Sequence, residues 1–371
     1  MSQKQIISQV ELFKLSIPLI EPFITSLGKD EAAHNVLVRI STEEGLVGYG
    51  ECSPYMPING ESQETCMVVG KYLAMTLRGK NALNIEKCVQ LMDGVIYGNT
   101  SIKSAFDMAL YDIASQQARL PLYLFLGGEK SKTIITDYTV SIGDPEKMAA
   151  DAVRIKNWGY PAIKVKLGKH GPEDVERIKA IRAAVGKDIP IRVDANQGWK
   201  ISEAIETLDA LKEYNIQYCE EPIARWKFMK LKKVRKNSSI PIMADECCGD
   251  EHDVERLIEL EACDMMNIKL GKSGGIYKAR KMAAMAAAAN IHLQVGAFLE
   301  SRLAMTAFAH FALSNPMIQH FDFDTALMFS EDPIEGGIQY EQNGTIHVPD
   351  TIGLGATISE SWLNKMEKLA V

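Results

Sequence analysis

No apolar run in this chain approaches the roughly 20 residues needed to span a bilayer, so a membrane-spanning protein is not expected. The N-terminus, MSQKQIISQVELF, alternates like a strand and lacks the central apolar stretch of a secretory signal. Basic residues are not in excess. The formal charge is −7, which argues against nucleic acid or an anionic membrane surface as a partner. Cysteine is sparse: seven scattered residues, with only Cys247 and Cys248 adjacent, suit no disulfide framework and point to the reducing cytoplasm. The seven histidines show no H-E-x-x-H spacing, and no low-complexity linker divides the chain. Its domains are therefore expected to dock tightly.

What the chain does contain, from about Thr133 onward, is a recurring unit of short apolar strand, polar turn and amphipathic helix. The strands read IITDYTVS, AIKVKL, IPIRVDAN, IQYCEE, IPIMADE, DMMNIKL, IHLQVGA and IQHFDFD. Strands alternating with helices imply a parallel sheet, and eight such units imply an α/β fold of the (β/α)8, or TIM, barrel type. Residues 1–130 read as an α+β capping domain with antiparallel strands followed by helices. Residues 131–328 read as the barrel. Residues 329–371 carry a hairpin turning at Asn343–Gly344 and are expected to return to the capping domain.

In AIKVKLG, residues 162–168, Lys164 and Lys166 alternate with Ile163 and Val165, so both lysines share one strand face. Charged groups recur at other strand ends: Asp194 and Asn196, Glu220 and Glu221, Asp245 and Glu246, Lys269, and Asp322 and Asp324. Barrel substrates bind where strands end, so these groups converge on one volume. A lone strand-end acid can simply cap the next helix. Three on successive strands, Asp194, Glu220 and Asp245, cannot all stay ionised without a cation, and their hard oxygens suit Mg²⁺ or, as a substitute, Mn²⁺. Asn196 and Glu246 would support them from behind. Lys166 and Lys269 lie on strands either side of that trio. One could remove the α-proton of a metal-held carboxylate substrate and the other return a proton from the opposite face, with Lys164 lowering the pKa of its neighbour.

These residues resemble the enolase superfamily, in its muconate-lactonising-enzyme-like subgroup. The match is carried by the K-x-K of Lys164 and Lys166, VDANQGW around Asp194, CEEP with Glu220, MADE with Asp245 and NIKLGKSGG with Lys269. The resemblance implies Asp194, Glu220 and Asp245 as ligands of one Mg²⁺ per subunit. It also implies Lys166 and Lys269 as the bases facing the L- and D-configured α-hydrogens. HFDFD resembles the D-x-D signature of dipeptide epimerases, in which Asp322 and Asp324 would grip a free α-ammonium. Thr139 and the run Ala297, Phe298 and Leu299 resemble the family's substrate-contact segments, and Lys164 is expected to help hold the substrate carboxylate. Acid-selective relatives carry an arginine in the early capping loop. This chain has Gly28 there, with Lys29 beside it as a possible substitute, so broad or hydrophobic specificity is an alternative to L-Ala-D/L-Glu.

The expected activity is thus epimerisation of the second residue of Ala-Xaa dipeptides through an enediolate, as in murein peptide metabolism, by a cytoplasmic homo-oligomer. The alternatives are an N-succinylamino acid racemase, an o-succinylbenzoate synthase, a muconate cycloisomerase-like enzyme, a Schiff-base aldolase and a non-catalytic binding barrel.

Overall fold

The computed structural model describes residues 4–130 and 132–371. Residues 1–3 of the expected first strand, and residue 131 at the expected boundary between capping and barrel segments, lie outside the described residues. Three antiparallel strands open the chain: β1 (Ile7–Ile24), β2 (Lys29–Thr42) and β3 (Val47–Cys52). Alternation along β1 and β2 divides their apolar side chains between two cores. Phe13, Leu15, Ile17 and Leu37 join the barrel's core, whereas Val10, Leu12, Val36, Val38 and Ile40 join a separate one with the capping helices. This sheet is covered on both faces and so ties the two parts of the molecule together.

Three helices, Gln63–Leu77, Ile85–Val95 and Thr100–Ala118, follow. The first is closed at its N-terminus by a reciprocal pair, Ser62 with Thr65. The third is buried along one uninterrupted stretch because it lies between the sheet and the barrel. It approaches β3 so closely that a Cβ on Gly50 would collide with the Ala105 carbonyl.

The expected first barrel strand is split in two. β4 (Ile134–Ile135) pairs antiparallel with Thr345–His347, and β5 (Tyr138–Val140) begins the barrel. Seven parallel strands continue it in order: β6 (Ile163–Lys166), β7 (Ile191–Asp194), β8 (Ile216–Glu220), β9 (Ile242–Ala244), β10 (Met265–Ile268), β11 (His292–Val295) and β12 (Ile318–Phe321). The seam between β12 and β5 has no ladder. It is bridged where Phe323 N–H donates to Thr136 Oγ1 at 2.8 Å and Asp137 N–H to the Phe321 carbonyl at 3.4 Å. The same two residues, Thr136 and Asp137, interrupt the expected strand.

The hairpin at Asn343–Gly344 forms, with Gly344 at φ 83°. It packs on β4 at the barrel's end, not on the capping domain as expected. Other parts of the segment do return to the capping domain: Lys368–Ala370 pairs antiparallel with β1, Ser330 N–H donates to the Pro18 carbonyl and Leu354 N–H donates to Asp112.

Candidate active site

Along β6 the period of two sends Ile163 and Val165 outward to the barrel helices and leaves Lys164 and Lys166 inside. The same parity puts Asp194, Glu220, Asn267, Gln294 and Asp322 inside. Parallel register sets Lys166 beside Asp194 and Asp194 beside Glu220, so three of the expected residues stand at one height.

Lys164 is fully buried and lies beneath the cavity instead of lining it. Its Nζ is 2.6 Å from Asp322, 2.9 Å from Glu220 and 3.4 Å from Asp194. That ammonium has three carboxylate partners and serves as a counter-ion of the acids. Lys166 Nζ lies 2.7 Å from Asp194, and Lys269 Nζ lies 2.9 Å from Asp245. Both amines line one cavity of about 110 Å³, which they enter from strands separated by β7, β8 and β9. Lys166 also sits 5.7 Å from the centre of the Phe23 ring and Lys269 4.9 Å from that of Phe298, so an aromatic wall screens each from water.

Burial and the Lys164 ammonium favour a neutral amine at Lys269, but the Asp245 and Glu220 carboxylates outweigh them and hold its ammonium above the usual lysine range. Lys164 is raised likewise, against burial, by Asp322, Glu220 and Asp194. Among the acids, burial pushes up every carboxyl and the lysines decide the outcome. Lys166 and Lys164 bring Asp194 below the ordinary range, and Lys269 and Lys272 do the same for Asp245. Glu220 keeps a net rise to about 7, because Asp194 and Asp245 repel its charge while Lys164 favours it.

Cation chemistry fits these residues. Among the described residues no three His, Cys, Asp or Glu side chains are drawn close enough to hold a metal ion as placed. Ammonium groups stand among the acids: Lys164 between Asp194 and Glu220, and Lys269 and Lys272 on the two oxygens of Asp245. Three buried carboxylates that recruit positive charge in this way form an oxygen-rich donor set of the kind hard cations take. The neighbouring buried Glu246 Oε2 has no hydrogen-bond donor.

Supporting residues fill in behind. Asn196 Nδ2 donates to Glu246 Oε1 at 3.3 Å, while its backbone N–H donates to Asp194 Oδ1 at 2.9 Å. Asn267 Nδ2 donates to Glu220 Oε1 at 2.6 Å, and the backbone N–H of Asp245 donates to Glu221 at 2.7 Å. Sequence reasoning missed the roles of Asn267, Glu221 and Lys272. Asn267 had a usable signal, since it lies two residues before Lys269 on the same strand face. Lys272 was hidden in what reads as a turn, GKSGG, which forms the short helix Leu270–Ser273.

Asp322 and Asp324 both line the cavity beside Thr139, whose backbone N–H donates to Asp324 at 2.7 Å. Asp322 is held ionised, against burial, by Lys164 and Lys166, whereas burial and the two acids Asp322 and Asp137 push Asp324 well up. Ala297, Phe298 and Leu299 line the same space. Lys29 does not: its exposed ammonium pairs with Glu31 at 2.6 Å on the outer face of β2. Asp30, Ala32 and His34, of the opposite parity, line the cavity instead. Ser26 fastens the capping loop to the barrel by donating to the Asn196 carbonyl at 2.8 Å.

A barrel whose mouth combines opposed lysines with a carboxylate cluster, roofed by an α+β domain, defines a class of enzymes that move protons at carbon. Residues 147–362 match the family described as enolase C-terminal domain-like, and residues 7–127 match the N-terminal domain of the mandelate racemase and muconate lactonizing enzymes. The chain belongs to the enolase superfamily. It is 55% identical over 366 residues to a D-Ala-D/L-Ala epimerase of Cytophaga hutchinsonii, spanning 99% of this chain and 100% of that protein. It is 39% identical to an L-Ala-D/L-Glu epimerase of Bacillus subtilis, over 94% of this chain and 96% of that one. The structure of the Cytophaga dipeptide epimerase, solved with Mg and D-Ala-L-Val, superposes with a TM-score of 0.98 over 99% of this chain and 100% of that one. The protein is an isomerase of the racemase and epimerase kind.

Proposed function

We propose that this protein inverts the α-carbon of the second residue of alanyl dipeptides. The reading rests above all on one observation: Lys166 and Lys269 enter a single cavity from opposite flanks of the strands that carry Asp194, Glu220 and Asp245. Two amines flanking one carbon can exchange a proton from either face, which inverts the centre. Asp194, Glu220 and Asp245 would hold Mg²⁺, which supplies charge stabilisation to a substrate carboxylate when bound. Asp322, ionised in the cavity wall, meets the free α-ammonium, and Asp324 accepts a hydrogen bond beside it. Phe23 and Phe298 exclude water from the two amines. The paired acids argue against N-acylated substrates, which have no ammonium to place there.

The test is incubation with Mg²⁺ in D₂O with Ala-Ala and Ala-Val dipeptides of either configuration at the first residue. Deuterium should enter the second α-carbon as its configuration inverts. Solvent exchange at neither configuration, with any of these dipeptides, would remove the proposal.

A further inference from the structure

The walls of the cavity divide by role. Lys166 and Lys269 face the reacting carbon, while Asp322, Asp324 and Thr139 form the ammonium end. The remaining wall comes from the capping domain, and it is where the second side chain must go. It includes Phe23, Leu27, Asp30, His34, Tyr55 and Ile58, and no lysine or arginine of the capping domain lines it. An acidic substrate side chain therefore finds no lysine or arginine on this wall, and the His34 imidazole there lies beside Asp30. What the substrate side chain finds is a carboxylate. Asp30 pairs across the β1–β2 hairpin with Phe23 and points to the same side as Ala32 and His34. The groups beside it are the His34 ring and the Tyr55 hydroxyl. Lys29 and Glu31, one step away in either direction, point outward and satisfy each other.

We propose that Asp30 selects the substrate's second side chain by charge, admitting neutral and cationic groups and excluding carboxylates. The proposal rests on the dipeptide epimerase reading and refines it. Two carboxylates a few ångströms apart in a small, half-dry cavity repel far more strongly than in bulk water. The same carboxylate costs an alanyl or valyl side chain nothing, because Phe23, Leu27 and Ile58 supply the contact. It offers a lysyl ammonium or a seryl hydroxyl a charge-assisted partner. Specificity here is written as repulsion of the wrong class as much as attraction of the right one.

The experiment compares kcat/KM for Ala-Ala, Ala-Val, Ala-Lys and Ala-Glu on the Mg²⁺-loaded full chain, for the wild type, Asp30→Asn, Asp30→Ser and Lys29→Gln. The wild type should favour Ala-Ala over Ala-Glu by about tenfold or more, and both Asp30 variants should narrow that ratio by about tenfold, chiefly through a lower KM for Ala-Glu. Ala-Lys should move the opposite way, and Lys29→Gln should leave the ratio as in the wild type. A ratio is the readout because partial misfolding scales all four substrates together. If the wild type turns over Ala-Ala and the ratio is unchanged in both Asp30 variants, the role of Asp30 is overturned and the epimerase reading stands. If Lys29→Gln shifts the ratio instead, the assignment belongs to Lys29. No turnover of any dipeptide by the wild type overturns the underlying reading.

Discussion

At the scale of single residues, the two amines make separable predictions. In the proposed reaction each serves one face of the carbon, so Lys166→Met and Lys269→Met should both abolish inversion while each retains solvent exchange of the one enantiomer that the surviving lysine serves. Proton NMR in D₂O, run separately on the two epimers, checks this. Loss of exchange from both enantiomers in both variants would mean that the lysines do not act as independent bases. A structural prediction concerns Gly168, just after Lys166. It holds φ 96°, and a Cβ there would strike the Ala195 carbonyl on the loop after β7. Gly168→Ala should cost about 2 kcal/mol or more, read from chemical denaturation, since both the backbone region and the space forbid the methyl. Residues like these were legible because alternation is a strict rule. Lys164, Lys166, Asp194 and Glu220 follow from period two and strand order alone. The same rule decides Lys29 against Asp30, but only once β2's start is known to the residue, and no sequence pattern fixes a strand end that closely.

At the scale of elements, the contact between capping strand and barrel helix carries the cavity-lining loop Ala297–Leu299. Glu51 on β3 accepts from Ser301 N–H at 2.9 Å, Ser301 Oγ at 2.6 Å and Ala304 N–H at 3.2 Å, so a capping-domain carboxylate closes the N-terminus of the barrel helix Arg302–Leu313. Asn35 joins it, donating to Glu51 and to the Leu299 carbonyl at 2.7 Å each. The loop Ala297–Leu299 is thus fixed from both sides. Glu300 accepts from Phe298 N–H at 2.5 Å, and burial, aided by the Glu51 charge, pushes its carboxyl up to about 8. A raised carboxyl binds its proton more tightly folded than unfolded. Its contribution is therefore complete below the ordinary glutamate pKa of 4.5 and is lost as pH rises through about 8. Thermal midpoints should fall over that window, and Glu300→Gln, which cannot ionise, should flatten part of the fall. An identical slope in the variant would assign it wholly to other buried acids such as Glu221, raised by burial to about 7. None of this was visible beforehand, because Glu51 and Ser301 lie far apart in sequence and each reads locally as an ordinary polar residue.

At the scale of the whole molecule, the eight-unit pattern was legible because a βα repeat leaves its period in hydrophobicity, and the positions with charge at strand ends followed from it. The seam was not, because the chain around β12 and β5 meets through isolated hydrogen bonds and not a ladder. The balance of charge inside the barrel is a property of the assembled ring as well. Four lysines, Lys164, Lys166, Lys269 and Lys272, pair with the carboxylates of Asp194, Glu220 and Asp245, so the fold does not need a divalent ion to keep those acids apart. The chain should accordingly stay folded in chelator. Mg²⁺ or Mn²⁺ should then bind the native state only and raise the unfolding midpoint, by about 2.7 kcal/mol of stabilisation when the ion is at about 100 times its Kd. Asp245→Asn, which removes one ligand and leaves Lys269 and Lys272 to repel the ion, should abolish the rise, and Lys272→Met should strengthen it or leave it intact. These are calorimetric measurements and do not depend on which dipeptide is turned over. If millimolar Mg²⁺ and Mn²⁺ both leave the wild-type midpoint where chelator puts it, the acids are a structural ion network and the proposed chemistry loses its charge stabilisation.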